Sequence, residues 1–495
     1  MGQKHFLQKG KNFFGRGEFL GTELNGDAVT LAEGKDGKLL KEGIYVSPVI
    51  FTPDFKRLVL SWNCDTPGNS SIKIDGRIRM AKQPDYFVNH SAEKEPQDNS
   101  EPVWSEWLTW GKWGNNIKRC SGISEKESDA VKINVDTLEI SSPDLIGDRF
   151  QFRVSFIAKD ESPVFKLAAQ NLLQLEKSIG MTDVSEMTDV TETTIFSECS
   201  TLGEPLHIIL DVPAYSQMRR DPYIAKVMCS ATCCSMVLNY YGFDILPEEA
   251  AWGLKDFDYG DANSGFGNWS FNTAYLGSQG FESYVKSISI KELKDEIKMG
   301  RPTPVSVAYS NKPDDGLPFI PGAPTRTSGH IILVCGFTYK EGIEYVVVND
   351  PAAQVNQGVR RFYPVDQFLK AWSHSDYTAY IIKSNKENMF SKQNMLNKEK
   401  ILKMANIHKN DKNSEVLELF ANGKKIDILK DEIAVIMYKC KDCEYYEYID
   451  IEIAKMGLCY ESIQWKRKDG PIILINEFGK VITGVLKYST RGEIV

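Results

Sequence analysis

The chain has 495 residues, 42% of them apolar, 25% charged and 11% aromatic, with a formal net charge of −8. That length is too great for one hydrophobic core and predicts two to four domains of ordinary globular composition. The negative balance argues against a nucleic-acid binder, and no apolar run is long enough for a membrane-spanning helix.

At the N-terminus, residues 1–10 carry basic side chains with no apolar segment after them, so no secretory signal is recognised. A cytoplasmic location is expected, with secretion by a non-standard route as the alternative. Residues 1–170 read as an all-β accessory domain. Short β-branched and aromatic runs over 45–51, 57–62, 71–75 and 150–157, separated by Gly, Pro and Asn turns, predict a β-sandwich. Trp104, Trp107, Trp110 and Trp113 recur every third residue, a period that suits neither a strand nor an α-helix. A turn near Gly111 is expected there, with aromatic core filling preferred to a sugar-binding platform. A polysaccharide or protein ligand for the sandwich stays among the expected partners.

Residues 171–204 hold seven acidic residues and one lysine, and read as an acidic linker. Residues 205–388 read as α+β. Helices are expected at 230–241, 247–254, 270–279, 290–299 and 365–372, and strands at 303–309, 330–338, 345–349 and 379–382. Residues 389–495 read as a small α+β domain, with helices at 399–406 and 415–422 and a hairpin joining 471–475 to 481–487. The whole is thus a multidomain chain.

Ten cysteines are too few for a disulfide scaffold. Cys440, Cys443 and Cys459 offer three ligands where a structural zinc takes four, and the loop starting at Asp256 has Gly260 where a calcium ligand should stand and Gly267 at the closing glutamate position. Neither a metal nor a cofactor is therefore expected.

The chemistry concentrates in the central domain. Cys229 opens an apolar run closed by Gly242, so it stands at a helix start, where unpaired backbone N–H groups stabilise a thiolate. Cys233 lies one turn deeper on the same face, and Cys234 points away. His330 begins the apolar strand Ile331–Val334. A turn at Tyr339–Gly342 makes paired residues sum to about 681, which sets His330 opposite Asp350 or Pro351. Either Asp350 or Asn349 is then available to hold the ring, but not both, because strand neighbours face opposite sides. Oxyanion donors are sought in the Cys229 backbone N–H and the Gln217 side chain.

Val212–Gln217, Cys229–Gly242, Ser328–Ile331 and Asn349–Pro351 together resemble the bacteriocin-leader (double-glycine) peptidase-like family of papain-like cysteine peptidases, in its stand-alone bacterial form with an N-terminal β-sandwich. The resemblance covers about 205–385. It implies a thiol peptidase acting on a peptide or protein through a thioester, with Cys229 as nucleophile, His330 as general base, Asp350 as orienting acid and Gln217 as oxyanion donor. Two departures stand out: Ser230-Ala231 follows the cysteine where Gly-Pro or Ser-Pro is common, and the span from Gln217 to Cys229 is long. Trp269, in the Gly265–Phe271 segment, and Gly329 are the residues expected to touch substrate, with the Pro/Gly-rich loop 312–327 as a lid. The alternatives are a non-catalytic binding or scaffold protein on the same fold, and an acyltransferase or amidase.

Overall fold

A computed structural model describes residues 5–82, 102–122, 130–173, 205–261, 263–312, 316–324 and 326–384, together with the backbone of several strands between 416 and 489. The described chain is mostly β, arranged in several sheets, with few helices.

Residues up to 173 form β1 (His5–Lys9), α1 (Lys11–Phe14), β2 (Glu18–Leu20), β3 (Thr22–Asn25), β4 (Ala28–Leu31), β5 (Glu42–Val46), β6 (Ile50–Phe55), β7 (Arg57–Asp65), β8 (Ser71–Lys82), β9 (Val103–Trp104), β10 (Leu108–Trp113), β11 (Val131–Asn134), β12 (Thr137–Ile140), β13 (Leu145–Ile157) and β14 (Val164–Leu173). They make two antiparallel sheets. One runs β11-β12-β7-β14-β4-β3 with β1 also on β14; the other runs β10-β8-β13-β5-β2 with β6 on β13 and β9 on β8. Phe152 of β13 meets Phe165 of β14 across the two sheets, ring centroids 6.1 Å apart.

The tryptophan series divides. Its irregular period is absorbed by a β-bulge between Thr109 and Gly111. Trp110 and Trp113 are buried, whereas Trp104 and Trp107 are half-exposed and stack on the Arg77 guanidinium at 4.7 and 4.6 Å. The acidic segment's first residues, Asn171–Leu173, end β14; its remainder, 174–204, lies outside the described residues.

A third sheet follows, in the order β16-β21-β17-β18-β19-β20 with β15 on β18. Its strands are β15 (Ile208–Ile209), β16 (Phe281–Ser287), β17 (Thr303–Ser310), β18 (Arg326–Lys340), β19 (Ile343–Asn349), β20 (Arg360–Pro364) and β21 (Thr378–Ser384). Its helices are α2 (Cys229–Tyr240), α3 (Pro247–Leu254), α4 (Trp269–Ser278), α5 (Ile290–Lys298) and α6 (Val365–Ser373). β15, β16 and β20 lie beyond the elements expected from periodicity.

Two apolar clusters each join the N-terminal sheets to the third sheet and its helices. Trp62 of β7 and Trp113 of β10 both pack edge-on against Phe271 of α4, at 5.8 and 5.5 Å. Polar side chains tie the same junction. β16 is an edge strand, and its outward N–H groups donate to side chains of the N-terminal sheets. Ser283 N–H reaches Asn63 Oδ1 at 3.0 Å, Val285 N–H reaches Ser61 Oγ at 3.1 Å, and Ser287 N–H reaches Asn171 Oδ1 at 2.9 Å.

Beyond 384 the described strands are β22 (Val416–Ala421), β23 (Lys424–Lys425), β24 (Ile433–Lys439), β25 (Tyr446–Ile449), β26 (Ile472–Asn476) and β27 (Val481–Ser489), in a six-stranded sheet. β26 and β27 are the expected hairpin. The helix expected at 415–422 is instead β22, paired antiparallel along its length with β27; pairing to a neighbour overrides a local preference in so short a segment. Residues 399–406, Cys440, Cys443 and Cys459 lie outside the described residues.

Candidate active site

α2 is buried on all sides from Ser230 to Leu238, as a helix wrapped by its own domain must be. It starts at Cys229 after Met228, whose carbonyl accepts the first helical bond from Thr232 N–H at 2.9 Å. Cys229 is half-buried, while Cys233 and Cys234 are fully buried. The Cys233 thiol donates to Ile331 O at 3.4 Å, and Cys234 faces Asn272 at 3.7 Å. The helix phase expected from the sequence is therefore what separates the three thiols.

β18 and β19 bring the histidine and carboxylate together. The turn is a tight one at Glu341-Gly342, both residues having positive φ (53° and 83°), which suits a two-residue hairpin. Residues pair as Tyr339 with Glu344 near the turn, and as Leu333 with Asn349 beyond a bulge between Val334 and Gly336. The register is thus one to two residues off the expected sum. β19 ends at Asn349, and the chain turns so that Asp350 still meets the histidine: His330 Nε2 to Asp350 Oδ1 is 2.8 Å. Asn349 faces the other way, donating to Pro213 O at 3.0 Å. Of the two side chains, Asp350 is the one that touches the ring.

Asp350 is fully buried and carries two further donors, Ala352 N–H on Oδ1 at 3.0 Å and Tyr363 Oη on Oδ2 at 2.7 Å. His330 also interacts with the Cys229 thiol, by hydrogen bonding and by charge. The Ile331 and Ser230 N–H groups also donate to the Cys229 sulfur.

These contacts push protons in opposite directions. Burial drives the Cys229 thiol up, but the His330 hydrogen bond and charge, with the two N–H donors, hold it below its ordinary value. Burial drives His330 down, but Asp350 and Cys229 hold it above its ordinary value. Burial likewise raises Asp350, and His330, Tyr363 and Ala352 outweigh it to keep the carboxyl low. Among the six described cysteines, Cys229 alone is held down. Burial pushes Cys64, Cys233 and Cys234 well up, and raises Cys120 and Cys335 to about 12. The arrangement favours a thiolate–imidazolium pair backed by a carboxylate.

Gln217 begins a 3₁₀ turn, Gln217–Arg219, and is buried. Its backbone N–H donates to Pro351 O at 2.8 Å, beside Asp350, and its side-chain nitrogen donates to Ala225 O at 2.6 Å. Ala225 opens the second 3₁₀ turn, Ala225–Val227, which leads into Cys229. The long span between Gln217 and Cys229 is a compact fold-back. Arg220 forks onto the buried Glu248 carboxylate of α3, with Nη2 to Oε2 at 2.6 Å and Nε to Oε1 at 2.9 Å. One Gln217 amide N–H remains beyond the bond to Ala225.

Of the two residues expected to touch substrate, Gly329 is exposed beside His330, and a Cβ there would meet open space. Trp269 is half-buried at the first position of α4, and its N–H donates to the Asp136 carboxylate of the N-terminal sheets. Its contacts are those of the junction between sheets. In the loop expected to act as a lid, Ile320 is buried, Asn311 Nδ2 donates to Ala323 O at 2.8 Å, and Phe319 is exposed. Tyr363 is the contact that sequence reading missed, because it reaches Asp350 from an edge strand that periodicity did not reveal. Among the described residues, no group of three or more His, Cys, Asp or Glu side chains is placed to hold a metal ion, and no helix is long and apolar enough to cross a membrane.

No curated protein matches the chain. Residues 209–380 match the model described as the Peptidase_C39 like family, which supports a C39-like cysteine peptidase domain of the hydrolase type in that span.

Proposed function

We propose that the domain spanning 205–388 is a cysteine peptidase that cleaves a peptide or protein through a thioester, with Cys229, His330, Asp350 and Gln217 as its working residues. The observation that carries this reading is the hydrogen-bonded series Cys229, His330, Asp350, with the thiol held down and the imidazole held up. The Cys229 thiolate attacks the scissile carbonyl carbon, and the carbonyl oxygen becomes an oxyanion. The Cys229 backbone N–H, at the unpaired start of α2, and the free Gln217 amide N–H stabilise that oxygen. Imidazolium His330 gives its proton to the departing amine, the C–N bond breaks and the thioester remains. Neutral His330 then takes a proton from water, hydroxide character adds to the thioester, and the thiolate leaves with the new carboxylate. Asp350 keeps the ring in one tautomer and balances its charge.

Gly329 leaves room for substrate next to His330, whereas Trp269, whose contacts lie at the junction between sheets, is given no substrate role in this reading. The N-terminal sheets form an accessory sandwich in this reading, and 389–495 an additional domain.

The test is labelling by iodoacetamide near pH 7, read by mass spectrometry of the folded protein. Cys229 is expected to alkylate at least tenfold faster than Cys120, the other described cysteine that is not fully buried, and Cys229→Ala to abolish peptide hydrolysis. Equal labelling of Cys229 and Cys120 would remove the activated thiolate from the argument.

A further inference from the structure

The geometry points to Tyr363 as a positioning residue of the active site, a fourth member of the series whose hydroxyl holds the Asp350 carboxylate ionised and turned toward His330. This rests on the proposed thiol chemistry and extends it by one residue.

The argument starts from the two oxygens of Asp350. Oδ1 accepts from His330 Nε2 at 2.8 Å and from Ala352 N–H at 3.0 Å. Among the described residues, Oδ2 accepts one hydrogen bond, from Tyr363 Oη at 2.7 Å. Asp350 and Tyr363 are both fully buried, so water does not replace that donor. A buried carboxylate oxygen without a donor favours the protonated acid, which neither orients an imidazole nor balances an imidazolium.

Tyr363 is built to stay a donor. Its ring is locked in the core on β20, opposite Val346 of β19, while Phe362 beside it is half-exposed. Burial, and then the Asp350 charge, push its phenol far above the usual value, so the proton stays on the hydroxyl across any working pH. The titratable groups around Asp350 come from every element packed on it: His330 on β18, Tyr309 on β17, Cys233 on α2 and Tyr363 on β20, with Arg361 near both tyrosines. Cys233 and Tyr309 are themselves pushed up by burial, so they stay neutral over the same range.

The experiment follows Cys229 alkylation rate against pH in the full chain. Tyr363→Phe keeps the ring and removes only the donor. The acid limb of the profile is expected to move up by about one pH unit, which is what a hydrogen bond to a buried charge is worth. In an Asp350→Asn background the same substitution should move nothing, because the hydroxyl acts through the carboxylate. Replacing Tyr363 with 3-fluorotyrosine, a stronger donor of nearly the same shape, should move the limb down, and this keeps the test available if Tyr363→Phe fails to fold. A wild-type profile with an acid limb that neither variant moves overturns the role of Tyr363 and leaves the thiolate reading standing. A wild-type profile with no activated thiolate overturns both.

Discussion

Three cysteines stand within six residues at the start of α2, and what distinguishes them is the group each sulfur faces; Cys234 meets the Asn272 side chain. Cys229 receives N–H groups from Ser230 and Ile331, whereas Cys233 gives its own proton to the Ile331 carbonyl. The two sulfurs thus meet opposite ends of one residue's peptide groups, and only the first is in an anion's environment. The pH dependence follows with its signs. The Cys229 thiol is held low, so its thiolate is present above that lowered value and lost as pH falls through it. The His330 imidazole is held high, so its imidazolium is present below that raised value and lost as pH rises through it. The competent ion pair occupies the window between, and kcat/KM should be bell-shaped in pH. Asp350→Asn removes the counter-charge that raises His330. The alkaline limb should then move toward lower pH, and kcat/KM should fall by about 10²-fold or more. An alkaline limb that stays in place would show that Asp350 does not support the imidazolium.

The elements carrying these residues were legible to different degrees. α2 and β18 stood out because a continuous apolar run fixes their type; the ends of α2 followed within a residue, whereas β18 starts at Arg326, four residues before His330. The contact between His330 and Asp350 was legible too, since hairpin arithmetic tolerates an error of a residue or two when the partner sits just past the strand end. The bulge at Cys335 was not, because it answers to a strand elsewhere in the chain. At Gly336 a Cβ would stand 2.2 Å from Ile208 O and 2.8 Å from Ile209 Cα, so β15 can lie against β18 only where the side chain is a hydrogen. β16 and β20 were missed for a related reason: both are partly polar (Glu282, Ser283, Lys286 and Ser287 in one, Arg360 and Arg361 in the other), and neighbouring strands make them strands. The segment 415–422 failed in the opposite sense, its helix-forming residues being drawn into pairing with β27. Two glycines of β18 therefore make a matched test. Gly336→Ala should destabilise the protein by about 2 kcal/mol and lower its melting temperature by several degrees, because backbone must move. Gly329→Ala meets nothing within 4 Å, so melting should be unchanged while KM rises through the lost space beside His330. Equal melting temperatures for the two variants would contradict the close approach of β15.

On the scale of the whole molecule, the first two sheets act on the third by covering its edge. An uncovered edge strand offers unpaired N–H and C=O groups to any passing strand, and proteins ordinarily block such edges. β16 presents Ser283, Val285 and Ser287 N–H on its outer side, and three side chains from β7 and β14 take them in alternate-residue register. Asn63 serves both groups of Ser283, accepting from its N–H at 3.0 Å and donating to its carbonyl at 2.7 Å, so its amide imitates a neighbouring strand. Asn171 accepts from Ser287 N–H and donates to Ser287 Oγ at 3.0 Å. No strand of the first two sheets extends the third, yet they satisfy its backbone. Removing Asn63 leaves the buried Ser283 N–H unpaired, at a cost of about 1–3 kcal/mol, and removing Asn171 does the same to the half-buried Ser287 N–H at a smaller cost. Asn63→Ala combined with Asn171→Ala should therefore lower the unfolding midpoint by more than either alone, and expose β16 before the rest of the domain. Hydrogen exchange read by mass spectrometry should show protection lost first over 281–287, with the α2 amides still protected. A fragment of 205–388, with the covering side chains gone altogether, should self-associate through that edge at micromolar concentration. A fragment that sediments as a monomer with the near-ultraviolet dichroism of a packed core would mean that the edge needs no cover, and that the three side chains only decorate it.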